Sequence, residues 1–172
     1  MIFEFLVLGG FQAGLSWQLI LLKREAFRKA FDRFDPKKVA NYTETQIQNL
    51  MNNSGIIRNK LKILAAINNA KRFIAIQTEF GTFDEYVWQF VDGKPINNSF
   101  QELADLPAKT ELSETISRDL RQRGFRYVGP TVCYAFMQAI GLVNDHLMNC
   151  PRYQEIRKMS KLSNKRSVES PA

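Results

Sequence analysis

Apolar residues in this chain return every three or four positions, and no stretch of convincing length alternates apolar with polar. That period belongs to helices, where residues three and four apart share a face, so the expected fold class is all-α. Trp17, Ile20, Leu21, Phe27 and Phe31 fall on one such face, with Lys23, Arg24, Arg28 and Lys29 mostly elsewhere. Asp35-Pro36 restarts a helix, proline being suited to a first turn. Thr43 followed by Gln46 has the form of a capping box ahead of Ile47, Leu50 and Met51. Gly55 is the expected stop. A longer helix is predicted over 59–77 through Leu61, Leu64, Ala65 and Ile67. Thr82 is placed to cap a short aromatic helix carrying Phe83, Tyr86, Val87 and Phe90. Asp92-Gly93-Lys94-Pro95 reads as a turn, and residues 95–108 as irregular.

The bulk properties suit one soluble domain. The chain has 172 residues, of which 45% are hydrophobic and 24% charged, an ordinary globular balance. Lys and Arg number 24 against 17 Asp and Glu, a net charge of +7. That excess favours polyanionic partners, nucleic acid first and an anionic surface second. Two cysteines, Cys133 and Cys150, argue against a disulfide-built secreted fold. The apolar start is interrupted by Glu4, has no basic segment before it and lacks a small-residue cleavage site, so no signal peptide is read. No apolar run reaches membrane-spanning length. A cytoplasmic monomer is expected, with a helical domain over 1–153 and a flexible basic tail over 154–172. From Arg152 onward Arg157, Lys158, Lys161, Lys165 and Arg166 are set against Glu155 and Glu169, with few apolar residues.

One segment carries more specific chemistry. Residues 113–123 read as a helix with Ile116 and Leu120 inward, stopped by Gly124. A short connection follows, and Pro130 starts a second helix with Val132, Ala135, Phe136, Ala139 and Ile140 inward, closed by Gly141. Two helices joined in this way form a helix-hairpin-helix. Gly129 would let the backbone approach a phosphate closely. The free amides at the start of the second helix accept an anion, and Arg121, Arg123 and Arg126 surround the turn with positive charge. Such contacts hold a duplex without reading its sequence. A plain core turn would show the same glycine and proline, so the segment alone leaves both readings open.

Several separated motifs resemble the type I 3-methyladenine DNA glycosylase family. The most specific is Phe11-Gln12-Ala13-Gly14-Leu15-Ser16-Trp17. Arg123-Gly124-Phe125, Val128-Gly129-Pro130-Thr131, Tyr134, Phe136-Met137-Gln138-Ala139 and Gly141-Leu142-Val143-Asn144-Asp145-His146 follow in order. Phe34-Asp35-Pro36, Gly55-Ile56-Ile57-Arg58 and Trp88-Gln89-Phe90-Val91 lie between them. The resemblance spans roughly residues 3–153. It implies a helical helix-hairpin-helix glycosylase that hydrolyses the bond between deoxyribose and 3-methyladenine in double-stranded DNA, opening base excision repair. It also implies that water rather than a lysine displaces the base, with no redox cofactor. Trp17 resembles the family's stacking aromatic; on helical spacing alone it would be a core residue. Gly14, Leu15, Arg123, Arg126, Gly129 and Thr131 match the family's DNA-contacting positions.

Two departures bear on activity. Where the family pattern is Leu-Glu-Gly, with the glutamate holding the methylated base, this chain has Leu8-Gly9-Gly10. Glycine offers no acceptor, and a hydrogen bond to a charged carboxylate contributes roughly 1.5–3 kcal/mol. Glu4 would point elsewhere on a helix. The family also has a further segment ahead of Phe3, with pocket aromatics and the Cys and His that complete a zinc site. Here the resemblance leaves His146 and Cys150, one helical turn apart, as half of that site. Structural zinc takes four ligands, so the expectation is an incomplete site. The position that carries an aspartate in wider helix-hairpin-helix relatives is Asn144, and Asp145 beside it could equally be a helix cap. Three readings follow: an active or weakened glycosylase, a non-catalytic DNA-binding relative, and an inactive fragment.

Overall fold

The computed structural model describes residues 2–168, with side chains to residue 159. Its longest element, α6 (Lys60–Phe80), has 21 residues and is about 30 Å long at the ordinary helical rise. Asn59 caps it, its side chain accepting from the Lys62 amide at 3.1 Å. Gly81 ends it at φ 87°, a conformation that costs glycine little.

The other helices are arranged around α6. α1 (Ile2–Gln12) packs against it, as do α4 (Pro36–Val39), α5 (Glu44–Asn52) and α7 (Phe83–Trp88). On its other side α1 meets α9 (Pro130–Ile140), which pairs with α8 (Glu111–Gln122). Aromatic rings fill the seams: Phe3 meets Phe73 at 5.1 Å, and Phe73 stacks on Phe83 at 4.2 Å. Phe11 reaches Phe27 at 4.8 Å, joining α1 to α3 (Arg24–Ala30). Offset and edge-on pairs of this kind add to the burial of apolar area.

Local signals act as the sequence reading has them at several ends. Thr43 and Gln46 form the capping box of α5. The Thr82 hydroxyl accepts from the Glu85 amide at 2.9 Å. Gly124 and Gly141 stop α8 and α9 at φ 86° and 84°.

Elsewhere tertiary contacts decide the outcome. The stretch from Trp17 to Phe31 is not one helix. α2 (Trp17–Leu22) and α3 are separate, broken at Lys23. The Lys23 ammonium donates to the carbonyls of Ser54 and Gly55, both at 3.2 Å, and this long-range tether turns the chain. Leu21, expected on the inward face, is therefore 45% exposed. α5 ends at Asn52, before Gly55. Gly55 instead sits where α3 passes: a Cβ there would lie 3.1 Å from that of Ala26. α8 begins at Glu111 rather than 113, capped by Thr110, whose hydroxyl accepts from the Ser113 amide.

The region over 95–108 contains a two-residue strand, β1 (Ile96–Asn97), parallel to β2 (Val143–Asn144). Past β2 the chain enters α10 (Pro151–Val168), anchored by Tyr153 at 2% exposure. The segment read as a basic tail thus begins inside this helix, and residues 169–172 lie outside the described residues.

Candidate active site

Two helix faces of small residues meet across a cavity of about 540 Å³. α1 presents Phe5, Gly9 and Gln12, one helical stripe. α9 presents Ala135, Phe136, Gln138 and Ala139. Gly9, Ala135 and Ala139 have little or no side chain, so the helices can frame a space without filling it. The segment after α9 closes the floor with Gly141, Val143, Asp145 and His146, and Ile156 of α10 adds an apolar wall.

Trp17, at the first position of α2, completes the rim. It is half-buried and packs against the core. Its position follows from the loop before it. Gly14 takes φ 79° with no atom within 4 Å of a built Cβ, and the Ser16 hydroxyl caps α2 by accepting from the Leu19 amide at 3.2 Å. Leu15 between them is 37% exposed. Lys62 of α6 holds the loop from below, its ammonium donating to the carbonyls of Phe11 at 2.8 Å and Ala13 at 2.6 Å. A cation on the last carbonyls of a helix also complements its dipole. Burial lowers the Lys62 pKa.

Position 9 is buried in the α1–α9 seam, where a Cβ would stand 3.2 Å from a methyl of Val132. Glu4 is indeed directed elsewhere. Its carboxylate accepts from Arg24 at 2.6 Å and from Arg28 at 2.8 Å. Burial pushes that carboxyl up, but the two guanidiniums together hold it below its ordinary value.

Asp145 is the residue whose setting the sequence did not disclose. It is 9% exposed and caps no helix. One carboxylate oxygen accepts from the Asn98 side-chain amide at 2.6 Å. The other accepts from the Tyr134 hydroxyl and from the Gln138 amide at 2.8 Å. Burial first, then this bond, raises the Tyr134 pKa. Asn144 is not on the cavity wall; it donates to Asn97 at 3.1 Å and to the Tyr153 carbonyl at 3.3 Å. A signal for Asp145 existed in the spacing Tyr134–Gln138, which puts both donors on one face of α9, but its partner at 98 is distant in sequence.

The turn between α8 and α9 lies next to this site, since a Cβ on Gly10 would touch that of Tyr127 at 3.4 Å. Tyr127 has φ 56°. Asn69 of α6 holds the turn in place, its side chain accepting from the Arg126 amide and donating to the Arg126 carbonyl, each at 2.8 Å. Asn68 donates to the Gly124 carbonyl at 2.8 Å. The Ser117 hydroxyl donates to the Val128 carbonyl at 2.6 Å. None of these clamps was read from the sequence. Gly129 precedes Pro130 at the start of α9 and Thr131 is exposed there. The Arg121 guanidinium would lie 3.5 Å from a Cβ on Gly129.

The structure separates Arg126 from Arg123. Arg126 is exposed. Arg123 bonds Asp119 at 2.8 Å and Glu79 at 2.7 Å and lies over the Phe80 and Tyr86 rings at 4.9 and 5.1 Å. Its charge is already engaged by neighbours, which counts against the expected role as a phosphate contact.

His146 Nδ1 and Cys150 Sγ lie 3.8 Å apart. Among the described residues no third His, Cys, Asp or Glu joins them in a metal-sized group. Cys133 is a core residue: its thiol donates to the Val128 carbonyl at 3.3 Å, and burial pushes its pKa up to about 12. Among the described residues, no helix is long and apolar enough to cross a membrane.

The model of the methyladenine glycosylase family matches residues 1–153. A DNA-3-methyladenine glycosylase of Haemophilus influenzae is 48% identical over 150 residues, covering 87% of this chain and 81% of that protein. DNA-3-methyladenine glycosylase 1 of Escherichia coli strain K12 is 43% identical over 152 residues, covering 88% of this chain and 81% of the relative. A crystal structure of 3-methyladenine DNA glycosylase I superposes with a TM-score of 0.84 at 44% identity, covering 87% of this chain and 82% of that one. A variant of such an enzyme, crystallised with 3-methyladenine, gives a TM-score of 0.85 at 36% identity over 87% of this chain and 81% of that one.

Proposed function

The chain belongs to the methyladenine glycosylase family, and on that premise we propose that it removes 3-methyladenine from alkylated double-stranded DNA. The observation that carries this reading is the cavity between the small-residue faces of α1 and α9, with Trp17 at its mouth. A base inside a duplex is out of reach, so the nucleotide must be extruded and read in a pocket by stacking and edge contacts. The cavity has room for one purine, and Trp17 provides the flat surface.

Methylation at N3 makes the adenine cationic and a good leaving group. The bond from N9 to the sugar C1′ breaks with its electron pair going to the base, water adds to C1′, and the water proton passes to solvent. Redox chemistry takes no part. The chain's residues must extrude the nucleotide, seat the base and shelter the cationic sugar. On the duplex side, the exposed loop with Gly14 and Leu15 and the turn with Arg126, Gly129 and Thr131 meet the DNA, the turn holding phosphates without reading sequence. Zinc held by His146 and Cys150 would need ligands beyond the described residues. The protein acts as a monomer in the cytoplasm.

The test is release of free 3-methyladenine from methylated duplex DNA, with Trp17→Ala as the comparison. Base stacking on an aromatic contributes about 1–3 kcal/mol, so the variant should lose about five- to 150-fold. A second reading, a non-catalytic DNA-binding relative, is favoured by Gly9 alone, which removes the family's acceptor. It takes over if the wild-type protein binds duplex DNA yet releases no base.

A further inference from the structure

With glycine at position 9, one carboxylate borders the cavity among the described residues, that of Asp145. Its three hydrogen-bond partners, Asn98, Tyr134 and Gln138, are all neutral donors, and no Lys or Arg pairs with it among the described ion pairs. A carboxylate has about four acceptor sites, so the oxygen facing Asn98 keeps acceptor capacity. Burying a charge without an ionic partner is costly, and a fold tolerates it where neutral dipoles solvate the charge. Concave sites are where such charges gather. The other buried carboxylate in this region, Glu4, is neutralised by two guanidiniums and is not on the cavity wall.

We infer that Asp145 supplies the negative charge by which this pocket prefers a cationic purine, in the place where position 9 supplies none. The inference rests on the glycosylase reading and assigns the specificity of that same site. Tyr134 and Gln138, both on α9, are positioning residues: they hold the carboxylate where Asp145 borders the cavity. The alternative is a purely structural knot tying β2 and α9 to the segment at Asn98. The two differ in one respect. A structural knot affects every ligand equally, whereas a counter-charge distinguishes a cation from a neutral molecule of the same shape.

The experiment therefore uses a pair of purines, the permanent cation 3,9-dimethyladeninium and neutral 9-methyladenine, with binding followed by equilibrium dialysis. The wild-type protein should prefer the cation by about ten- to two-hundredfold, the worth of one charge-assisted contact. Asp145→Asn should abolish the preference, read as the ratio of the two affinities, which a uniform loss of binding does not move. A preference that survives Asp145→Asn overturns the inference and assigns it to the π face of Trp17. If Asp145→Asn does not fold, Tyr134→Phe decides: it loosens the hold on the carboxylate, so the ratio of the two affinities should fall severalfold, and an unchanged ratio overturns the inference. Failure of the glycosylase reading is visible earlier, in a wild-type protein that binds neither purine and releases no 3-methyladenine; the inference then falls with it.

Discussion

The α1–α3 junction and the cavity floor each bury a carboxylate, and they treat it in opposite ways. Glu4 meets two guanidiniums, while Asp145 meets an amide, a phenol and a second amide. At the junction the charge is matched within the fold and serves to fasten α1 to α3. At the floor the geometry is equally well satisfied, but the net charge remains. Hydrogen bonds can solvate a charge without cancelling its field, so the floor can still attract a cation and the junction cannot. The same contrast holds among cations near the turn. Arg123 is held by Asp119, Glu79 and two rings, and Arg126 faces solvent.

The largest expected effect tests the junction. Glu4→Gln should destabilise the fold by about 2 kcal/mol, since it leaves two half-exposed guanidiniums facing a neutral side chain. Urea denaturation measures it. The two guanidiniums hold the folded Glu4 carboxyl below its ordinary value. Its stabilising contribution is therefore complete above that value, declines as pH falls below it, and is lost once pH passes the folded pKa. Glu4→Gln should flatten that acid limb while leaving the preference for a cationic purine intact. A changed preference would erase the contrast with Asp145.

Next in size is Gly9→Glu, which puts a second carboxylate on the cavity wall. One charge-assisted contact contributes about ten- to two-hundredfold; the shift Val132 must make to clear a Cβ at 3.2 Å brings the expected rise in 3-methyladenine release to the lower end, about tenfold. The gain should be greater in the Asp145→Asn background, where the wall has no charge. No gain in either background would mean that position 9 does not face the base.

The smaller effects separate the two arginines. Arg123→Ala should lower stability by about 1 kcal/mol through its partly exposed ion pairs and ring contacts, with little change in DNA binding. Arg126→Ala should leave stability alone, weaken duplex binding and reduce the slope of log affinity against log salt by about one. The reverse pattern, measured by thermal unfolding and by binding titrations at several salt concentrations, would show that Arg123 leaves its partners on DNA.

The sequence by itself determined the fold class and several of the helix ends. Thr43 with Gln46, Thr82, Gly124, Pro130 and Gly141 act within one turn of where they stand, because caps and helical bonds join residues three or four apart. It also carried the motif around Trp17 and the anomaly at Gly9, which are matters of residue identity. The tertiary structure alone decided what the charged and amide side chains do. Lys23 turns the chain by reaching Ser54 and Gly55, Lys62 holds the loop before Trp17, and Asn69 clamps the turn at Arg126. Asp145 finds Asn98 across 47 positions. A long polar side chain has many possible partners, and no local period selects among them. The choice is made when packing brings one donor and one acceptor together in a place too dry to leave either unpaired.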